Sequence, residues 1–515
     1  MSRNRESEDA RRYHDQTAHS PQSVRLSGHR LDWDNKPAPF KLYPDLPAVA
    51  LPRELPDLRL DTLTALSGPP GAPRPLDLDR LAALLFFSAG VTKVKRYPGG
   101  GEVYFRAAPS TGALYQTEVY VVAGDVPGLE AGIYHFCPGD FTLRRLRAGD
   151  FRGALARAAA DDTVAAQPAA LVLTAIYWRN TWKYQARGYR HLFWDSGTML
   201  AHALASATAA GVPARLVTGF VEREVNALLG VDAAREGALV AVPLGPEGRS
   251  APPPPPVSPL DARFIPLSDS EVDYPLLRQA YEDSSLDSEA EVWDWREAAQ
   301  AAPGGTAPTG ALIALPAPAM TAGRPLGDTI QARGSTREFS GAPISAQALA
   351  TALYHATRDF PSDAPTGLVD LYLTAHAVDG LEPGAYAYHP AAQGLEAITR
   401  GDFRARSAFL CLDQPLGGMS SATVFFLSDL GRVLGPLGNR GYRLANLEAG
   451  LRGGRLYLAA YAQRFGASGL TFYDREVVEF FSPHAAGKDA LFVTALGRAV
   501  REPSRSPATV GIRST

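Results

Sequence analysis

Gly128-Leu129-Glu130-Ala131-Gly132-Ile133-Tyr134 and Gly380-Leu381-Glu382-Pro383-Gly384-Ala385-Tyr386 are one motif written twice, 252 residues apart. The same spacing separates Gly149-Asp150-Phe151-Arg152 from Gly401-Asp402-Phe403-Arg404, and Arg223-Glu224-Val225 from Arg475-Glu476-Val477. Arg187-Gly188-Tyr189-Arg190 returns as Arg440-Gly441-Tyr442-Arg443 at a spacing of 253. Separate matches held in one register describe a fold carried twice, a fused pseudo-dimer. Positions where the two copies differ are therefore where chemistry is retained in one and lost in the other.

Outward from the repeat, the bulk properties agree. A chain of 515 residues is too long for one core and divides into two domains of ordinary size. The 51 basic and 54 acidic residues nearly cancel, so no polyanionic partner is implied. The two cysteines, Cys137 and Cys411, fall in different halves, which argues against a disulfide framework or a thiolate metal site. No apolar run approaches the ~18 residues of a membrane span and the polar start leads into no apolar stretch, so a cytoplasmic protein is expected. Residues 1–54 read as an N-terminal arm, its first 25 residues charged and mobile, its Leu31–Pro44 part extended on a domain surface. The first domain is expected over 55–245, a stiff linker with Pro252–Pro256 over 246–259, the second domain over 260–502 and a polar tail over 503–515. Each half repeats helix (Leu81–Phe87, Leu349–Tyr354), strands (Val119–Val122 and Leu171–Leu173; Leu371–Leu373 and Val424–Phe426) and a long small-residue helix (Trp194–Ala210, Leu447–Phe465). The class is α+β, with the long helices suited to a shared interface.

Arg333-Gly334-Ser335-Thr336-Arg337, placed just before the Leu349 helix, sets two guanidinium groups on either side of a hydroxyl. That set can surround a phosphate and a polyol, and it equally fits a surface turn with two solvated arginines. Aligning the helices places Ala65, Ser67 and Pro69 where the second half has Arg333, Ser335 and Arg337. The first half carries Ala108-Pro109-Ser110-Thr111-Gly112, by itself a turn, while the second is shortened to Pro365-Thr366-Gly367.

The Arg-x-Ser-x-Arg segment resembles the FMN-binding signature of the nitroreductase superfamily, and Pro109-Ser110 resembles the loop that the opposite subunit lays beside the flavin. The resemblance implies two tandem nitroreductase-like domains with one composite FMN site, held by Arg333, Ser335, Arg337, Pro109, Ser110 and Gly112. By family position Leu470 and Thr471 would meet the ring and Arg498 the phosphate. Tyr13-His14, Leu31-Asp32-Trp33, Pro39-Phe40-Lys41, Arg106–Ser110 and Trp178–Tyr184 narrow the likeness to SagB/ThcOx-type dehydrogenases. Such enzymes oxidise thiazolines and oxazolines of peptides to azoles. Lys183-Tyr184 matches their catalytic pair, and the second half has Pro436-Leu437 there. Either Tyr184 as phenolate, its pKa lowered by the lysine, or Lys183 as neutral amine would be the base, with oxygen reoxidising the flavin. The implied partners are a modified precursor peptide and a cyclodehydratase, with no nucleic acid and no membrane. Further oligomerisation is left open. A NAD(P)H-dependent nitro- or quinone reductase and a non-catalytic flavin-binding scaffold subunit stand as alternatives.

No Gly-x-Gly-x-x-Gly follows a strand and no Gly-x-Ser-x-Gly elbow occurs. His14, His191, His202 and His484 show no ligand spacing, so no metal is expected. Gly99–Gly101 reads as a surface connection or a lid.

Overall fold

The computed structural model describes residues 3–68, 71–97, 101–302 and 304–501. Pro69, the Pro98-Gly99-Gly100 run and the tail 503–515 lie outside the described residues. The first sheet runs Ala48–Ala50, Thr142–Ala148, Gly132–Cys137, Thr117–Ala123, Ala169–Ile176, Glu236–Leu244, all neighbours antiparallel. The second repeats this order from Leu312–Ala314 through Gly394–Arg400, Gly384–His389, Asp370–Ala375 and Ala422–Ser428 to Asp489–Gly497, and adds Gly466–Gly469 at its edge. Even the irregularities repeat: register slips at Ile133/Tyr134 and again at Ala385/Tyr386. The architecture is the expected α+β tandem.

The opening motif is a turn with its own lock. Gly128 and Gly380 sit at φ 87° and 79°, open to glycine at no steric cost. The Tyr134 hydroxyl donates to the Glu130 carbonyl at 2.7 Å, and Tyr386 does the same to Glu382 at 2.6 Å. Gly132 and Gly384 leave room for those rings, since a Cβ at either would stand 3.0 or 3.1 Å from the tyrosine.

The halves meet along two buried helices, Gly188–Ala210 and Arg440–Ala462. They cross at Gly197 and Gly450, where a methyl on either would strike the other's backbone at Leu447 or Trp194. Both helices begin several residues before the small-residue runs, because the Arg-Gly-Tyr-Arg repeats form their first turns. Those arginines are reciprocal clamps. Arg187 and Arg190 of the first half pair with Asp474 of the second, and Arg440 and Arg443 pair with Glu222 of the first. All six side chains are buried. Buried charges persist only when paired and hydrogen-bonded, so each half supplies the acid that the other half's helix start requires.

The arm departs from its expected mobility. Residues Glu8–Gln16 form a helix whose Tyr13 is 1% exposed and donates to the Ala186 carbonyl at 2.6 Å, edge-on to both Tyr189 and Tyr442. Charge had suggested solvation, but Arg11 pairs with Asp489 and Arg190 donates to the His14 carbonyl. The arm thus seals the junction between halves. In return, residues 260–299 wrap onto the first half: Leu260 and Phe264 pack on its core and the Tyr281 hydroxyl donates to the Ala238 carbonyl at 3.1 Å. Cys137 and Cys411 are buried free thiols. Among the described residues no helix is long and apolar enough to cross a membrane.

Candidate functional site

Three segments converge where the halves meet. The first is the loop after strand Glu102–Arg106. A buried carboxylate, Asp195 on the first long helix, holds it. Asp195 accepts from the Ser110 hydroxyl at 2.6 Å, the Thr111 amide at 2.9 Å, the Thr111 hydroxyl at 2.7 Å and Gln116 Nε2 at 2.7 Å. Burial pushes its carboxyl up, and these donors oppose the shift. The Thr198 hydroxyl donates to the Pro109 carbonyl at 2.7 Å. The result is a rigid turn with Gly112 at φ 62°.

The second segment is the helix Tyr177–Tyr184, which ends on Lys183 and Tyr184. A Cβ on Gly112 would stand 2.9 Å from the Tyr184 hydroxyl, so Tyr184 lies directly on the loop, with Lys183 beside it in the chain. The Tyr184 ring meets His191 edge-on at 4.4 Å, and Lys183 Nζ stands 5.3 Å from the Tyr184 ring. Gln185, which follows, takes φ 52° and ψ −146° without being glycine. Its counterpart Gly438 takes φ 64° and ψ −159° at the end of the helix carrying Pro436-Leu437. Only the Lys-Tyr copy places a side chain in this glycine-favoured region.

The third segment is the second half's Arg333–Arg337. It follows the helix Leu326–Ala332 and is separated from the helix Ala346–Thr357 by a loop and the short strand Ile344–Ser345, so it does not stand just before a helix as the sequence suggested. Arg333 crosses to the other half: Nε donates to the Ala107 carbonyl at 2.7 Å and Nη2 to the Arg106 carbonyl at 2.9 Å. It therefore ties the motif to the loop. Arg337 is exposed, and its charge acts on both Lys183 and Tyr184. The Ser335 hydroxyl lies 3.2 Å from the Tyr457 hydroxyl, which also accepts the Gly469 amide, bringing Ser335 beside Leu470 and Thr471. Arg498 stands apart from the Lys-Tyr pair. With Arg324, Arg464, Tyr461 and Gly466 it lines a cavity of about 170 Å³ behind Ala332.

The pair's two acids differ. Burial, then the charges of Arg337 and Lys36, push Lys183 below the ordinary lysine range. Burial and then Asp195 push Tyr184 well above the ordinary phenol range, with Arg337 opposing. The expected lowering of Tyr184 is therefore overturned: desolvation and Asp195 outweigh the opposing charge, which is that of Arg337. His191 is buried with Nδ1 3.0 Å from Asn180 Oδ1, and His202 sits against the Thr198 carbonyl with its pKa lowered to about 3 by burial and Arg333.

Sequence reasoning missed Asp195, Tyr457, Arg324 and Arg464. Asp195 was within reach, because the repeat puts Glu448 opposite it and an acid kept in both copies of a buried helix signals a partner. It also missed that the fold brings His389 Nε2 and His484 Nε2 to 3.0 and 3.3 Å from Glu396 Oε2. Thr309 donates to both oxygens of that carboxylate, and the group lies wholly in the second half, outside the convergent site.

Comparison with known proteins agrees with this architecture. The nitroreductase family model matches residues 72–246. A Methanocaldococcus jannaschii protein named as a nitroreductase is 31% identical over 172 residues, 33% of this chain and 81% of that protein. The chain belongs to the nitroreductase family. A crystal structure of an Anabaena variabilis protein, also named as a nitroreductase, covers 95% of this chain and 99% of its own, with a TM-score of 0.75 and 28% identity. The tandem form is thus shared across its whole length. The trifolitoxin-processing protein TfxB of Rhizobium leguminosarum is 28% identical over 178 residues, and the chain spans 47% of it.

Proposed function

We propose that this chain is an FMN-dependent dehydrogenase of the SagB type, oxidising azoline rings of a modified peptide to azoles. The observation that carries the reading is that Tyr184, beside Lys183, meets the Gly112 turn within the first half while the charge of Arg337 from the second half reaches both residues. A likeness to a protein named for trifolitoxin processing supports the substrate class.

The residues fit FMN. Gly112 takes a left-handed φ and a Cβ there would meet the Tyr184 hydroxyl, so the turn keeps a bare backbone beside the pair. Arg324, Arg464 and Arg498 around one small cavity would hold a phosphate, and Arg337, Ser335, Leu470 and Thr471 would contact the rest of the cofactor. When bound, FMN would supply the two-electron acceptor. The chain's own part is proton removal and positioning. An azoline Cα–H is acidified by its carbonyl and C=N neighbours. Lys183, held low by burial and by Arg337, carries a larger neutral fraction near neutral pH than a solvated lysine and takes that proton. Tyr184, kept protonated, donates a hydrogen bond and fixes the substrate against the loop. Asp195 holds the loop itself.

The test is turnover of a thiazoline peptide by the flavin-loaded chain, with Lys183→Ala and Tyr184→Phe beside it. Azole formation lost in Lys183→Ala, at unchanged flavin content, is the expected result. Rapid flavin bleaching by NAD(P)H that is indifferent to Lys183→Ala would replace this reading with a nitro- or quinone reductase.

A further inference from the structure

The copy of the site that lost its arginines has not closed. Carrying the candidate site across the repeat replaces Arg333 and Ser335 with Ala65 and Ser67, and Tyr457 and Tyr461 with Leu204 and Thr208. It also replaces His202 with Arg455. These substituted residues line one cavity of about 750 Å³, together with Ala201, Ala205, Val212, Pro213, Arg358, Asp359 and Pro361. A volume of that order is typical of small-molecule sites.

Its wall is mostly apolar, with one exception. Arg455 is 5% exposed, and among the described residues its only hydrogen bond runs from Nη1 to the Arg358 carbonyl. No carboxylate among the described residues pairs with it, although Asp359 stands on the same wall. Glu448 pairs with Arg452 and accepts from the Gly367 and Leu368 amides, and Asp359 accepts from the Thr366 hydroxyl at 2.7 Å through one of its oxygens. The Arg358 guanidinium lies over the Tyr354 ring at 4.6 Å. Burial and the neighbouring Arg452 push the Arg455 pKa down to about 9, against the opposing charges of Asp359 and Glu448. A buried guanidinium with spare donors and no carboxylate partner is costly unless an anion completes it. The paired copy places histidine there, so the arginine is a replacement and not a scaffold requirement.

We propose that this cavity is a second, non-flavin binding site, which takes a small organic anion with an apolar body and fixes its carboxylate or sulfonate on Arg455. This copy has Ala65 where the other has Arg333, the residue that ties the two halves' flavin-site segments together, and its mostly apolar wall between the long helix and Pro361 favours a ligand with an apolar body.

The site is read with 1-anilinonaphthalene-8-sulfonate, whose fluorescence rises in apolar surroundings, titrated into the full chain with FMN present in excess. Two variants accompany it: Arg455→Gln, and the double change Leu204→Tyr with Thr208→Tyr, which refills the cavity as the other copy is filled. One dye per chain is expected, weakened about tenfold or more by either change. 1-Naphthoate should displace the dye while 1-naphthamide does not. Should Arg455→Gln fail to fold, the tyrosine pair and the acid–amide comparison decide alone. Dye binding unchanged in the tyrosine pair, or equal displacement by acid and amide, would overturn the proposal. So would a second equivalent of FMN that the tyrosine pair abolishes, since the cavity would then be a flavin site after all.

Discussion

Asp195 and Glu448 occupy the same place in the two halves and do the same work. Asp195 holds Ser110 and Thr111; Glu448 holds the amides of Gly367 and Leu368 at 3.1 Å each. Eleven residues upstream of these acids the copies part: Tyr184 ends one helix and Leu437 the other. Seven residues downstream they part again, at His202 and Arg455. The frame that positions a loop has been preserved twice, while the groups that would act on a bound molecule have been kept, exchanged or deleted one copy at a time. A fused dimer permits this, because its two interfacial sites are no longer encoded by the same residues.

The comparison breaks first at the Lys-Tyr pair. Lys183→Ala should lower azoline turnover by roughly 10²–10⁴, the usual worth of a positioned proton-transfer group. Pro436→Lys with Leu437→Tyr should restore nothing. The absorbance of bound flavin, equal in all three proteins, separates a lost base from a lost cofactor. The pH profile sharpens the assignment. Lys183 must be neutral to act, so turnover rises with pH through its pKa, and burial and Arg337 place that limb below the ordinary lysine range. A limb that survives Lys183→Ala would belong to another group.

Where the copies agree, the effects should agree. Asp474→Asn and Glu222→Gln each leave two arginines buried without their acid, and each should cost about 3–5 kcal/mol in denaturant unfolding. Burial alone would raise the Asp474 carboxyl, but Arg187 and Arg190 outweigh it and hold it well below the carboxylate range. Its contribution is therefore complete above the unfolded value near pH 4 and is lost only as pH falls through the folded pKa. A large cost at one acid and none at the other would mean that the clamps are not equivalent.

Asp195→Asn should weaken flavin binding about tenfold, since a charge-assisted acceptor of several donors is replaced by a neutral one. Glu448→Gln should leave flavin binding unchanged while loosening only the other loop. Flavin fluorescence titration reads both. Equal losses would place flavin in both copies.

The repeat made the fold legible, because offsets of 252 and 253 survive wherever a turn, bulge or clamp depends on particular residues. Gly128, Tyr134 and the Arg-Gly-Tyr-Arg segments are such places. The N-terminal arm was not legible. Its helix is charged on the side that meets Asp489, and a charged face bound to a partner reads in sequence like a charged face bound to water. The site was legible as residue types but not as contacts. Arg333 reads as an anion ligand until the structure turns it toward two carbonyls. The direction of the Tyr184 shift depends on burial, which a dipeptide does not reveal.

The smallest difference between the copies is backbone strain. Gln185 holds φ 52° and ψ −146° where the other half uses Gly438. A non-glycine residue in such a region costs of order 1–3 kcal/mol. Gln185→Gly removes that cost, while a glycine there also gains freedom in the unfolded chain. The net change should be a gain of up to about 1–2 kcal/mol in unfolding free energy, accompanied by a several-fold fall in turnover as the end of the Lys183-Tyr184 helix is freed. The reverse change, Gly438→Gln, should cost stability and leave turnover alone. A Gln185→Gly protein that is more stable and equally active would show that the strained turn only ends a helix; one that is more stable and slower would show that it holds the pair against the loop.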